Sequence, residues 1–205
     1  EGDQTQTMLA SNGFGPKEWE SVELEATEQG HSFMGGFYKS GIIAPDSDDL
    51  VTIEYRKIME QSYGKERTDE ILGLDRFNNL IYPNLLVNSQ FHQLRTVHPL
   101  SSDRTLIRAF CFRLKGAPEK IHQRAVRFLT TLNSPASMIF SDDVEIFSRC
   151  QEGLSKSSNE WINVERGIVS DKIDENNNRF SPGASELPIR AQFAAWTNYI
   201  QGNVE

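Results

Sequence analysis

Apolar residues follow helical spacing in five stretches of the chain. Residues at i, i+3, i+4 and i+7 share one side of a helix, so each stretch predicts a helix that turns one side toward a core. The predicted helices are 48–61, 65–72, 118–132, 141–154 and 185–200, the first with Asp48 or Asp49 as its cap and the last with Ser185. The predicted apolar side of the third helix is Ile121, Ala125, Phe128 and Leu132, and that of the last is Ile189, Phe193, Trp196 and Ile200.

Shorter segments with alternating or mainly apolar residues predict β-strands. They are 18–41, which is interrupted by glycines, 77–88, 91–98, 106–114 and 161–170, whereas 171–183 predicts a loop. A turn at 100–103 joins two of these strands into a hairpin. Strands joined by hairpins and followed by helices, without βαβ units, predict an antiparallel α+β fold. At 205 residues the chain suits a single domain, 1–205.

The helix predicted from Ser141 carries an acid at the head of an apolar side. Asp143, Phe147, Cys150 and Leu154 recur at i, i+4, i+7 and i+11, so this side is predicted to be buried. A buried carboxylate is costly unless something pairs with it. Three partners remain open at this point: the N–H groups of the helix itself, a basic side chain, or a metal ion.

Charge and composition exclude several classes of protein. The net charge is −8 and the basic residues are scattered, so nucleic-acid binding is not expected. No apolar run is long enough to span a bilayer and no signal peptide is visible, which predicts a cytoplasmic protein. Cys111 and Cys150 are expected to be reduced core thiols. Neither has a Cys or His within four residues, so no paired-cysteine metal site is expected from this chain.

Five segments in order resemble the catalytic region of the α subunit of Rieske-type aromatic-ring-hydroxylating oxygenases. They are Asn79-Leu80-Ile81-Tyr82-Pro83-Asn84-Leu85, the hairpin from Leu94 to Thr105 with Val97-His98-Pro99-Leu100, Ser141-Asp142-Asp143, Gln151-Glu152-Gly153-Leu154, and the stretch from Glu186 to Trp196 with Pro188-Ile189-Arg190. The resemblance implies a helix-grip fold, in which a twisted antiparallel β-sheet packs around a long C-terminal helix.

The resemblance also implies a mononuclear Fe(II) site with two histidines and one carboxylate, leaving positions open for dioxygen. The second acid after the serine, Asp143, matches the carboxylate ligand. Asp142 points about 100° away and suits a cap or surface role. The implied reaction is hydroxylation of an aromatic ring with O2. Electrons would come from a [2Fe-2S] Rieske cluster in the subunit's own Rieske domain or a neighbouring subunit, fed by a reductase or ferredoxin, and a small β subunit is a possible further partner.

The chain departs from the family pattern at its beginning. The Rieske domain and the helix with both iron-binding histidines are absent. The histidines present, His31, His92, His98 and His122, do not match that helix. The chain is therefore interpreted as a catalytic domain truncated at its N-terminus and inactive by itself.

Candidate residues for the substrate cavity come from the same resemblance. They are Arg76, Asn78, Asn88, Gln90, Met138 and Ile139. Such a cavity would be polar, which predicts a polar aromatic substrate, such as a carboxylate paired with Arg76. The alternative is a non-catalytic helix-grip protein that holds an apolar ligand.

Overall fold

The computed structural model describes residues 20, 22–35, 49–73 and 76–202, without the side chains of Arg76, Phe77 and Met138. The part of the predicted 18–41 region beyond Gly35 lies outside the described residues. The strands are β1 (Glu23–Ala26), β2 (Ser32–Gly35), β3 (Arg76–Ile81), β4 (Leu85–Asn88), β5 (Gln93–Ser101), β6 (Arg104–Cys111), β7 (Lys172–Ile173) and β8 (Arg179–Pro182). The helices are α1 (Leu50–Tyr63), α2 (Lys65–Gly73), α3 (Glu119–Leu132), α4 (Met138–Lys156) and α5 (Leu187–Gln201), with a 3₁₀ turn at Ile168–Ser170.

All eight strands form one antiparallel sheet in the order β6-β5-β4-β3-β2-β1-β8-β7, which confirms the predicted α+β class. We call the face that carries Leu24, Ala26 and Met34 the inner face, because α5 packs Leu187 and Ala191 against it. Residues directly opposite each other on neighbouring strands share a face. One row across the inner face is Ser181, Leu24, Met34, Asn78, Asn88, Gln93 and Cys111, and the next is Arg179, Ala26, Ser32, Leu80, Leu86, Arg95 and Ala109.

The predicted cap of the first helix is confirmed at Asp49. Its carboxylate accepts hydrogen bonds from the backbone N–H and the hydroxyl of Thr52, at 3.0 and 2.9 Å. Arg124 of α3 donates to both carboxylate oxygens, at 2.6 and 2.8 Å. The Arg124 hydrogen bonds are the main reason that the pKa of Asp49 lies far below its usual range. The cap therefore also ties α1 to α3.

A hydrophobic core joins α1 and α3 to the end of the sheet near β6. Its buried members are Val51, Tyr55, Met59, Phe91, Ile121, Ala125, Phe128 and Leu129. Three of the four residues predicted for the apolar side of α3 are in this set, and Leu132 packs against it. The predicted side of α3 is thus confirmed, because its large apolar residues have a partner helix and the aromatic ring of Phe91 to cover them.

The predicted buried side of the last helix is wrong. Ile189, Phe193, Trp196 and Ile200 are 42, 50, 56 and 66% exposed. The buried side is Leu187, Ala191 and Ala195. Small side chains let the helix approach the β1–β2 turn closely, where a Cβ added at Gly30 would lie 2.7 Å from the Cβ of Ala195. Close backbone approach, rather than side-chain size, selects the packed side.

The prediction for the helix after Pro135 is wrong in two respects. The helix begins at Met138, not at residue 141, because Ser137 is its cap. The side predicted to be buried is exposed: Phe147 is 55% and Leu154 62% exposed, and Asp143 and Cys150 are also exposed. Cys150 is therefore not a core thiol.

Three predictions for strands and loops also need correction. The segment 77–88 is two strands, β3 and β4, separated by a turn that contains the cis Tyr82-Pro83 bond. The segment 161–170 is not a strand, and Trp161 in it is 82% exposed. The supposed loop 171–183 contains β7 and β8, which add to the sheet beside β1. The hairpin of β5 and β6 agrees with prediction.

The buried histidine at the start of β5 gives the fold a pH dependence. His92 is 3% exposed, and burial, with a smaller contribution from His122, lowers its pKa to about 4. The unfolded chain binds a proton near pH 6.5, so it binds more protons than the folded chain between pH 6.5 and 4. The free energy of unfolding should therefore decrease as the pH is lowered through this window, by about 2–3 kcal/mol from His92 alone.

Denaturant titrations at pH 7 and pH 4.5 measure this effect. His92→Asn is the matched variant, because asparagine tolerates the positive φ of 55° at this position. We expect the variant to lose less stability on acidification than the wild type. Equal losses in the two proteins would show that His92 does not titrate as described.

Candidate functional site

Asp143 lies on α4 beyond the reach of the helix's free N–H groups. The Ser137 hydroxyl accepts hydrogen bonds from the N–H groups of Ile139 and Phe140, at 3.2 and 3.4 Å, and so caps the helix. Asp143 comes five residues after Met138, in the second turn. Capping is thus not the role of Asp143, and the exposed Asp142 is not a cap either.

The charges around Asp143 come from the sheet and from its own helix. Partial desolvation raises the pKa of Asp143, the positive charge of Arg95 opposes the rise, and Asp142 adds to it. Arg95 lies on the inner face of β5, so the positive charge that acts on Asp143 comes from that side of the sheet. Among described residues, Asp143 has no ion pair within 4 Å. Its carboxylate oxygens therefore remain available for a cation.

The described residues do not form a complete metal site. Within them, no group of three His, Cys, Asp or Glu side chains could hold a metal ion. His31 accepts a hydrogen bond at Nδ1 from the N–H of Tyr82, at 3.0 Å. His98 contacts the Thr96 hydroxyl on the outer face, and His92 and His122 lie by the core of α1 and α3. Among the described residues, no histidine lies with Asp143 in a group that could hold a metal ion.

Four of the six predicted cavity residues have described side chains. Asn78 and Asn88 are brought together on the inner face, where Asn88 Nδ2 donates to Asn78 Oδ1 at 3.0 Å. Asn88 Oδ1 accepts from the N–H of Phe91, so both amides are held in place. Ile139 is half-buried on α4, one turn before Asp143. Gln90 lies in the β4–β5 turn, not on the strand as predicted.

The remaining two candidates, Arg76 and Met138, are placed only by their backbones, at the starts of β3 and α4. Their side chains lie outside the described part of the structure. Their predicted roles at the cavity stay predictions.

Sequence reasoning missed Gln93 and Arg95 on β5. Gln93 is opposite Asn88 and takes the inner-face place that was predicted for Gln90. The signal was the alternation of Gln93, Arg95 and Val97 along one side of the strand. Alternation alone could not tell which side of β5 faces the helices.

No helix in the described ranges is both long and apolar enough to cross a membrane. The fold itself matches a solved structure of naphthalene 1,2-dioxygenase with indole bound in its active site. The TM-score is 0.70 at 16% identity, over 95% of this chain and 45% of that one. At this identity the likeness concerns the fold alone.

Sequence comparisons find relatives among large subunits of dioxygenases. The chain is 35% identical over 170 residues to the toluate 1,2-dioxygenase α subunit of Pseudomonas putida, which covers 78% of this chain and 35% of the relative. It is 34% identical over 113 residues to the 2-halobenzoate 1,2-dioxygenase large subunit of Burkholderia cepacia, covering 55% and 24%. The anthranilate 1,2-dioxygenase large subunit of Acinetobacter baylyi matches at 22% over 169 residues, covering 81% and 34%.

The chain thus spans between 24 and 35% of the length of these relatives. The family model described as "Ring hydroxylating alpha subunit (catalytic domain)" matches residues 11–199, nearly the whole chain. Together with the fold, this match shows that the chain belongs to the catalytic-domain family of ring-hydroxylating dioxygenase α subunits.

Proposed function

We propose that this chain is the catalytic region of an oxygenase that hydroxylates an aromatic ring, with Asp143 as the carboxylate ligand of a mononuclear Fe(II). The observation that carries the proposal is the position of Asp143. It lies past the capped first turn of α4, its pKa responds to the charge of Arg95 on the inner face of the sheet, and it has no ion pair among described residues. A carboxylate in this position is free to bind a cation.

The other parts of the centre would come from residues outside the described chain. Two histidines would complete the Fe(II) site, and a Rieske [2Fe-2S] cluster, in the same subunit or a neighbouring one, would deliver electrons from a reductase or ferredoxin. A small β subunit is a further possible partner. When bound, the iron would supply the activation of dioxygen.

The substrate we propose is an aromatic carboxylate. The relatives are named for toluate, 2-halobenzoate and anthranilate, all of which are ring carboxylates. The polar residues of the inner face agree with such a substrate, because a carboxylate needs hydrogen-bond donors once it leaves water. A face built only from aliphatic residues would suit an unsubstituted hydrocarbon instead.

The residues of this chain would position the ring and keep water away from it. Leu80 and Leu86 form an apolar floor on the inner face, next to the fixed Asn78–Asn88 pair. Ile139 would face this floor from α4. The negative charge of Asp143 would be neutralised by the cation that it binds, which removes the repulsion between Asp143 and an anionic substrate.

The test is product formation by the full-length subunit that contains this sequence, supplied with reductant, ¹⁸O₂ and benzoate. We expect a ring-hydroxylated product that contains ¹⁸O, and the number of labelled atoms distinguishes one-atom from two-atom insertion. Benzoate binding without any oxygenated product would contradict the proposal and favour the non-catalytic ligand-binding alternative.

A further inference from the structure

One charged side chain stands in an apolar part of the inner face. Arg95 is central on β5, directly opposite Leu86 on one neighbouring strand and Ala109 on the other. Leu80 continues the same row on β3. A guanidinium among aliphatic side chains carries a desolvation cost that is normally offset by an anion.

No described residue provides that anion at contact distance. Arg95 is half-buried, and it forms no ion pair within 4 Å and no hydrogen bond with a described residue. Burial lowers its pKa, and the charge of Asp143 on α4 partly offsets this effect. The guanidinium stays charged, since arginine does not lose its proton in proteins. If Asp143 binds a metal ion, its charge is committed there, and no other described residue serves as a counter-ion for Arg95.

A second buried donor lies on the same side of β5. Gln93 is 3% exposed, and its Nε2 has no hydrogen-bond partner among the described residues. Two positions along a strand are roughly 6.6 Å apart, so Gln93 and Arg95 lie on one side within reach of a common anion. Unsatisfied buried amide groups are rare and call for an explanation.

The helix that carries Asp143 is exposed along most of its length. Every residue of α4 from Phe140 to Lys156 is exposed, although Arg95 and Asp143 are close enough for their charges to interact. One hydrogen bond joins α4 to the tip of the β5–β6 hairpin, far along the strand from Arg95: Gln151 Nε2 donates to the Ser102 carbonyl, at 3.2 Å. The described side chains of α4 after Ile139 are therefore not buried against the sheet.

We propose that Arg95 binds the carboxylate of the aromatic substrate, with the Gln93 amide as a second donor, in the space between the inner face and α4. The inference rests on the proposed function and names the residue that selects its substrate class. A planar guanidinium donates two parallel hydrogen bonds to a carboxylate. The ring would then lie between Arg95 and the iron bound by Asp143, with the apolar row beneath it. This assigns to Arg95 the role that sequence alone suggested for Arg76.

Benzoate and benzamide are the matched probes, because they share size and shape and differ in charge. In the full-length iron-loaded enzyme we expect Arg95→Leu to raise the KM for benzoate by about 10- to 100-fold. The KM for benzamide should change by less than about twofold, on the same reasoning. The KM of Arg95→Lys for benzoate should lie between the values of the wild type and of Arg95→Leu, since lysine keeps the charge and loses the fork geometry. Arg108→Leu is the control, because Arg108 is exposed on the outer face of the same hairpin.

An equal rise in KM for benzoate and benzamide, or no rise for either, would overturn the assignment to Arg95. A fall in iron content in Arg95→Leu and Arg95→Lys would also overturn it, because Arg95 would then act by positioning Asp143. Binding of 4-fluorobenzoate to the metal-free full-length protein, followed by ¹⁹F NMR, gives a readout that does not depend on turnover. If the wild type forms no product but this binding still depends on Arg95, the proposed function fails and the carboxylate site stands.

Discussion

Arg190→Leu should destabilise the fold by about 3–5 kcal/mol, the cost of removing one partner from a buried ion pair. Arg190 and Asp171 have side chains only 11 and 12% exposed, and Arg190 Nη2 donates to both carboxylate oxygens, at 2.8 and 2.7 Å. The same guanidinium donates to the carbonyls of Val164 and Arg166 and to the Ser185 hydroxyl. Its loss leaves a buried carboxylate and several carbonyls without donors, and it releases the irregular segment before β7 from α5.

Urea denaturation followed by circular dichroism measures this change. Arg149→Leu is the matched control, because Arg149 also pairs with a carboxylate, Glu145, but its side chain is 75% exposed. Exposed pairs within a helix contribute about 0.3–0.5 kcal/mol, so the control should be nearly as stable as the wild type. Similar losses in the two variants would mean that burial of the Arg190–Asp171 pair does not strengthen it.

The elements that the sequence predicted well are those whose signals are local. The cap at Asp49 requires only an acid before an apolar helix, and α3 has one continuous side of large apolar residues. The β5–β6 hairpin follows from alternation on both sides of a short turn. In each case the chain within about 15 residues contains the whole signal, so tertiary contacts only reinforce it.

The errors arise where a distant partner decides what is buried. Periodicity gives α5 two candidate sides, and the close approach to Gly30 selects the alanine side over the aromatic one. In α4 the regular recurrence of Phe147 and Leu154 does not lead to burial, because no described element packs on that side. The β7 and β8 strands were not predicted, because such short strands have no periodic signal in the sequence. Pairing of β8 with β1, and of β7 with β8, makes them part of the sheet.

The sequence proposed the acid of the candidate site and did not propose its basic residue. The role of Asp143 stays a prediction, and the argument for it required burial, whereas the structure leaves Asp143 exposed. What remains is the influence of Arg95, on the inner face of β5, which lowers the pKa of Asp143 against the effect of desolvation. Arg95 could not be found from the sequence, because its side of β5 becomes the inner side only through the register with β4.

Asp143→Ala should remove the mononuclear iron and leave the fold intact. Exposed positions without hydrogen bonds usually change stability by less than about 0.5 kcal/mol, so the variant should fold. Loss of one of three ligands leaves too few donors to hold Fe(II). Asp142→Ala is the control, because it removes an acid from the same turn. The side chain of Asp142 leaves the helix about 100° away from that of Asp143.

The decisive measurement is the iron and acid-labile sulfide content of the full-length subunit in these two variants and in the wild type. We expect Asp143→Ala to lose about one iron ion per subunit without loss of sulfide, which reports the Rieske cluster, and Asp142→Ala to keep both. Unchanged iron content in Asp143→Ala would contradict the assignment of Asp143 as the ligand.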